Sequence, residues 1–94
     1  MNHHDFTFTG IVVRETEGFS SLCLELDVAS LGETIQEAKD MLLDAVTLYL
    51  ETAIESNLPY VRPVPPDDDP RFSAPETIVA TFPIKVEVGV RAYA

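Results

Sequence analysis

Near its start the chain alternates apolar and polar residues one by one; further on it changes to a helical spacing. Phe6 and Phe8 alternate with Thr7 and Thr9 and lead into Ile11-Val12-Val13, β-branched and aromatic residues that suit a pleated, half-buried surface. Arg14 to Gly18 is a polar break ending in glycine, which predicts a loop returning the chain as an antiparallel hairpin. A second strand is expected over Phe19 to Leu26. It would place Leu22, Leu24 and Leu26 on one face, taken as the core face, and Phe19, Ser21, Cys23 and Glu25 on the other. Asp27 permits a turn, and Val28 to Leu31 reads as a short third strand ending at Gly32.

From Thr34 the period becomes 3.6. Thr34 and Glu37 have the spacing of a capping box, in which the hydroxyl accepts the Glu37 amide and the carboxylate reaches back to the Thr34 amide. Ile35, Ala38, Leu42, Ala45, Val46, Tyr49, Leu50 and Ala53 then form one apolar stripe, while Glu37, Asp40, Asp44, Glu51 and Glu55 gather on the opposite side. Met41 and Leu48 flank that acidic back, and Lys39 falls inside the stripe, where its aliphatic stem can pass the packed layer. The helix should run to about Ser56, with Asn57 taking the left-handed conformation and Pro59 preventing continuation.

Residues 59 to 75 hold six of the seven prolines together with Asp67-Asp68-Asp69, and show no apolar period, as expected of a linker or wrapping arm. The aspartate run lacks the glycine and terminal glutamate of a calcium loop and reads as a solvated acidic patch. Beyond it Ile84, Val86, Val88 and Val90 alternate with Lys85, Glu87, Gly89 and Arg91, a half-buried strand. Pro83 cannot donate a ladder hydrogen bond, so that strand starts after it or lies at a sheet edge. The expected class is α+β in the order β-β-β-α-β: a three-stranded antiparallel sheet, one helix packed on it and a C-terminal strand. The chain divides into a core over 1–58, a proline- and aspartate-rich arm over 59–77, and a last strand over 78–94 that completes the same domain or a dimer.

With 94 residues the chain makes one domain, and its 46% apolar content is enough for a core. Sixteen acidic against six basic side chains give a formal charge of −10, which repels nucleic-acid phosphates and anionic lipid and favours a basic partner. Uninterrupted apolar stretches reach three residues, far short of the roughly 20 a membrane-spanning helix needs. The lone Cys23 between two leucines suggests a buried, reduced thiol and a cytoplasmic protein.

The run Gly18-Phe19-Ser20-Ser21-Leu22-Cys23-Leu24-Glu25-Leu26-Asp27-Val28-Ala29-Ser30-Leu31-Gly32-Glu33-Thr34-Ile35-Gln36-Glu37-Ala38, followed by Leu48-Tyr49-Leu50-Glu51, resembles the core of the HicB antitoxin family. Ile84 to Val88 is similar to the end strand of its short members, and Leu31 stands where most members carry glutamine. The resemblance implies a partial RNase H-like fold, oligomeric as a dimer or tetramer. It also implies an antitoxin that neutralises HicA, a small basic mRNA interferase, by covering its RNA-binding and catalytic surface, with no reaction of its own and no cofactor. Residues 57 to 94 hold neither a second amphipathic helix nor a basic cluster, so direct DNA binding is not expected.

Chemistry is sparse. His3 and His4 stand alone at the N-terminus, Ser20 and Ser21 have no histidine nearby in sequence, and Gly10, Gly18, Gly32 and Gly89 are isolated rather than gathered in a phosphate loop. A magnesium-dependent RNase H-like enzyme would have to draw its carboxylates from Asp5, Glu25, Asp27 and Glu87. The partner-binding candidates are Met41, Asp44 and Glu51 on the helix and Tyr60, Asp67, Asp68, Asp69 and Phe72 on the arm, with Ile84, Val86, Val88 and Val90 as the self-association strand. An oligomeric scaffold of the same fold without a toxin is the alternative reading.

Overall fold

A computed structural model describes residues 6–87 and 91–94. Five strands form one antiparallel sheet in the spatial order β3-β2-β1-β4-β5, with β1 at Phe6–Arg14, β2 at Phe19–Cys23, β3 at Val28–Gly32, β4 at Ile78–Glu87 and β5 at Arg91–Tyr93. Helix α1, Ile35–Glu55, lies across one face. The class agrees with the sequence. The sheet is larger than the three strands expected, because the last apolar segment begins at Ile78 and joins the centre of the sheet beside β1.

Pro83 lies within β4 without breaking it. Opposite Pro83 stands Thr9, whose amide donates to Glu25 Oε1 and whose carbonyl accepts from the Leu24 amide, so both backbone groups of Thr9 turn toward β2. The Thr9/Pro83 pair is therefore non-hydrogen-bonded, and the donor that proline lacks would have pointed to the flank that β5 leaves uncovered there.

Helix α1 starts and stops as its residues dictate. Thr34 caps it, its Oγ1 accepting from the Glu37 amide at 3.0 Å, but the Glu37 carboxylate reaches one residue further back than expected and accepts from the Glu33 amide at 2.7 Å. At the other end Asn57 takes φ 53°, and the Leu58 and Asn57 amides donate to the carbonyls of Ala53 and Ile54, the Schellman arrangement. The face it buries is Ala38, Leu42, Val46, Leu50 and Ala53. Gly32 lets it sit close: a Cβ there would run into the helix backbone at Glu37 and Ala38.

The sheet buries both faces, and here the strand assignment is corrected. The side of β2 that meets α1 carries Ser21 and Cys23, with Ser21 Oγ donating to the Ala38 carbonyl at 2.8 Å; Leu22 and Leu24 point the other way. Leu26 returns to the helix side because β2 ends at Cys23 and the chain turns over residues 24–27, the Asp27 amide donating to the Cys23 carbonyl at 2.9 Å and Asp27 taking φ 53°. Phe8, Val12, Phe82, Ile84 and Val86 complete the helix-side core, and Ile11, Val13 and Leu24 form a second core that is closed by Val64.

Val64 comes from the arm, which is not a free linker. Its Arg62 and Val64 amides donate to the carbonyls of Glu25 and Leu24, both at 2.9 Å, so the arm runs antiparallel to the end of β2 on the face away from the helix. It continues through a turn at Pro66–Asp68, the one-turn helix α2 at Pro70–Ser73 and a turn at Pro75–Thr77 before entering β4. A 21-residue helix descends about 32 Å. The arm carries the chain back up the other face, which is why β4 enters antiparallel to β1.

Replacing Gly32 with alanine is expected to cost about 1–3 kcal/mol, because neither backbone can yield to the added methyl. Urea denaturation measured beside the wild type checks this, and an unchanged midpoint would show that the helix can lift without loss.

Candidate interaction surfaces

The exposed back of α1 carries Glu37, Asp40, Asp44, Glu51 and Glu55, all in water. Among the described residues the one ion pair is Asp69 with Arg71, so the remaining carboxylates keep their field unneutralised by neighbours. Met41 and Leu48 sit beside this acidic back on the flank facing β3, where Met41 lies over Ala29, Ser30 and Leu31. The opposite flank faces β5, with Thr47 Oγ1 accepting from the Ala92 amide.

The structure separates the partner-binding candidates. Met41, Asp44 and Glu51 share the helix layer, and all three are exposed. Tyr60 is half-buried at the end of that layer: its ring meets Phe6 edge-on at 6.1 Å, and its carbonyl accepts from the Tyr49 hydroxyl at 2.8 Å. Asp67, Asp68 and Phe72 belong to the arm on the other side of the sheet, Phe72 being 70% exposed with the Arg71 guanidinium 5.5 Å from its ring. These two groups do not form one footprint.

Asp69 is removed from the solvated patch expected of the run. It is buried, caps α2 by accepting from the Arg71 amide at 2.9 Å, and holds the Arg71 guanidinium with both carboxylate oxygens. The hydrogen bonds from Arg71 keep its carboxyl below the usual carboxylate range. Its sequence signal, an aspartate immediately before proline, marks a helix N-cap as readily as a surface charge.

Ile84 and Val86 are corrected as well. Both are buried beneath α1 in a strand paired with β1, with β5 on the far side of Val86, so they serve the chain's own core and not a contact between copies. Val88 and Val90 lie outside the described residues, as do His3, His4 and Asp5.

No family model, curated protein or solved structure matches this chain. Its chemistry has to be read from the geometry. The carboxylates that a metal-dependent reading would need stand apart: Glu25 accepts from the Thr9 amide and hydroxyl at 2.7 and 2.8 Å, Asp27 occupies the β2–β3 turn, and Glu87 ends β4. Among the described residues no three His, Cys, Asp or Glu side chains group closely enough to hold a metal ion. Among them, too, no helix is long and apolar enough to cross a membrane. Lys39, whose place in the stripe is unusual, sets its Nζ 4.9 Å from the centre of the Phe82 ring, which itself lies over Gly10.

Cys23 is fully buried, and that burial, with the nearby Glu25 charge adding to it, pushes its thiol up to about 12. In the unfolded chain an ordinary thiol ionises near 8.5. The folded state thus holds a proton that the unfolded state releases, so this contribution is complete at neutral pH and is lost as pH climbs from about 9 toward 12. The stability difference between wild type and Cys23→Ala should accordingly shrink from pH 8 to pH 10, by up to about 1.4 kcal/mol per unit. Chemical denaturation at both pH values checks it; a constant difference, or native-state alkylation at the rate of a free thiol, would contradict the burial.

Proposed function

We propose that this protein acts by masking a basic macromolecule. In the form its HicB resemblance suggests, it is an antitoxin of a cytoplasmic toxin–antitoxin pair that neutralises a small basic, HicA-like mRNA interferase by covering the surface that grips RNA. The observation that carries this reading is the unpaired carboxylate face of α1: five acids along one exposed side, no basic residue among them, in a chain of net charge −10. An RNA-binding surface must be positive, and such a face steers it in at rates above the unsteered 10⁵–10⁶ M⁻¹s⁻¹ range expected of neutral partners.

Charge supplies speed and selectivity; holding the complex requires apolar anchors that lose their water. Leu48, within the same helix layer, is 65% exposed and adjoins Asp44 and Glu51 one turn away on either side. Phe72 and the Asp67-Asp68 pair on the other side of the sheet form a second, independent candidate.

The test is co-expression of the chain with a HicA-like small basic protein, one encoded in an adjacent reading frame being the first choice, followed by an RNA-cleavage assay. A stable complex and suppressed cleavage are expected, and the triple change Asp40→Asn, Asp44→Asn, Glu51→Gln should slow association about tenfold and flatten its dependence on salt. Stopped-flow association across a salt series reads this directly. An unaltered on-rate would remove the helix face from the account, and failure to bind or to inhibit would end the antitoxin reading.

A further inference from the structure

We infer, resting on the proposed masking of a basic macromolecule, that the flank of α1 from Met41 to Thr52 is one wall of a groove that receives a single amphipathic helix of that partner. The helix would lie with its apolar side inward and its lysine or arginine side chains along the rims.

Beside the stripe that serves its own core, α1 carries a second apolar series. Met41, Ala45, Leu48 and Thr52 follow one another at intervals of four, three and four, the spacing at which one helix receives the side chains of another. The series lies about a third of a turn around α1 from its buried face, so it looks along the sheet and not into it. The protein's own packing leaves it open: Met41 is 47% exposed, Leu48 is the more exposed of the two, and Thr52 faces water. From Met41 to Thr52 the series advances about 16 Å, three turns of a partner helix laid alongside.

A second wall stands opposite. Leu58, Pro59 and Arg62 line the groove across from Ala45, Leu48 and Thr52, with half-buried Tyr49 between them. That wall is tied down. The Tyr49 hydroxyl donates to the Tyr60 carbonyl at 2.8 Å, and Arg62 donates to the Asp27 carbonyl at 3.3 Å while its guanidinium lies 5.4 Å from the Tyr49 ring. A groove held in this way loses little freedom when it is filled. Toward the start of α1, Met41 carries the apolar strip onward over Ala29, Ser30 and Leu31.

Charge selects the occupant. Asp44 and Glu51 stand on the rim toward the helix back, one turn before and after Leu48. Glu33 and Glu37 lie at the N-terminal end of the helix and Asp27 in the β2–β3 turn, and all five carboxylates are exposed. An apolar floor between carboxylates complements a helix whose anchors recur at i, i+3 or i+4 and i+7 with cations beside them. The same rim turns other occupants away. A second copy seated on this series would set Asp44 and Glu51 against their own counterparts, and anionic lipid would meet the same repulsion. An extended peptide offers its side chains at an interval of two, which the series does not match.

Fluorescence anisotropy tests this with a labelled leucine–lysine peptide about 18 residues long, patterned as an amphipathic helix, against a scrambled peptide of identical composition and charge. The patterned peptide is expected to bind at least about tenfold more tightly than the scrambled one, and to gain helicity in circular dichroism when the protein is added. Met41→Glu and Leu48→Glu should each weaken its binding at least about tenfold. Both make the face more negative, so added attraction opposes the loss and cannot produce it. Ile54→Glu, on the flank that Thr47 turns toward β5, makes the same change of charge and should not weaken binding. Circular dichroism reports whether each variant folds; should one unfold, the methyl resonances of Met41, Ala45 and Leu48 in the wild type decide instead, and are expected to shift on peptide addition ahead of those of Ile54. Equal binding of the two peptides, binding without a gain of helicity, or indifference to both substitutions on the series would overturn the inference. A small basic toxin neutralised equally well by Met41→Glu and Leu48→Glu sinks this inference and leaves the antitoxin reading standing. Capture of the patterned peptide in the expected way by a chain that inhibits no ribonuclease sinks only the antitoxin reading.

Discussion

Two backbone hydrogen bonds, from Arg62 to the Glu25 carbonyl and from Val64 to the Leu24 carbonyl, hold the arm against the sheet. Without them the face of β1 and β2 opposite the helix would show Ile11, Val13 and Leu24 to water, and β4 would have no path to the position from which it pairs antiparallel with β1. Arg62 adds a side-chain bond to the Asp27 carbonyl and lies 5.4 Å from the Tyr49 ring, so one residue ties the arm, the β2–β3 turn and the helix together. A chain this short gains from having two cores in place of one, since the fraction of surface a domain can bury falls with size.

Much of the architecture was legible because local signals agreed with it. The Thr34 cap, the 3.6-residue stripe and Asn57 before Pro59 delimit α1, and the polar break at Arg14–Gly18 delimits the first hairpin. What could not be read was which face of β2 would look inward. Alternation states that two sets of residues diverge, and the more apolar set was assigned to the helix; the structure gives the helix Ser21 and Cys23 because the leucines are covered by an arm whose prolines and aspartates conceal a single inward valine. Pro83 hid the first half of β4 for a similar reason: a missing donor matters only if a partner waits for it, and that depends on register, which a lone sequence does not contain.

The candidate surfaces were legible in composition and not in placement. The acidic back of α1 follows directly from helical period. Asp67, Asp68 and Asp69 look alike in sequence, yet the third is consumed as a cap and ion pair, because the proline after it starts a helical turn whose amides need an acceptor. Ile84 and Val86 were expected at a boundary between chains on the strength of the long arm, and the arm instead brings them home. The apolar edge that remains is β3, which ordinary strand propensity could locate but could not reveal as an edge.

The neighbour of β1 on its far side is supplied by residues 65 to 80 positions later in the chain. On the ribosome, therefore, the first hairpin and even the finished helix must wait, with Phe8, Ile11 and Val12 incompletely covered, until the tail that shields them has been synthesised. Folding of this kind is dominated by non-local pairing and is slow for its size. The interval in which a nascent copy is most adhesive is also the interval in which it has not yet acquired the shape that any partner would recognise.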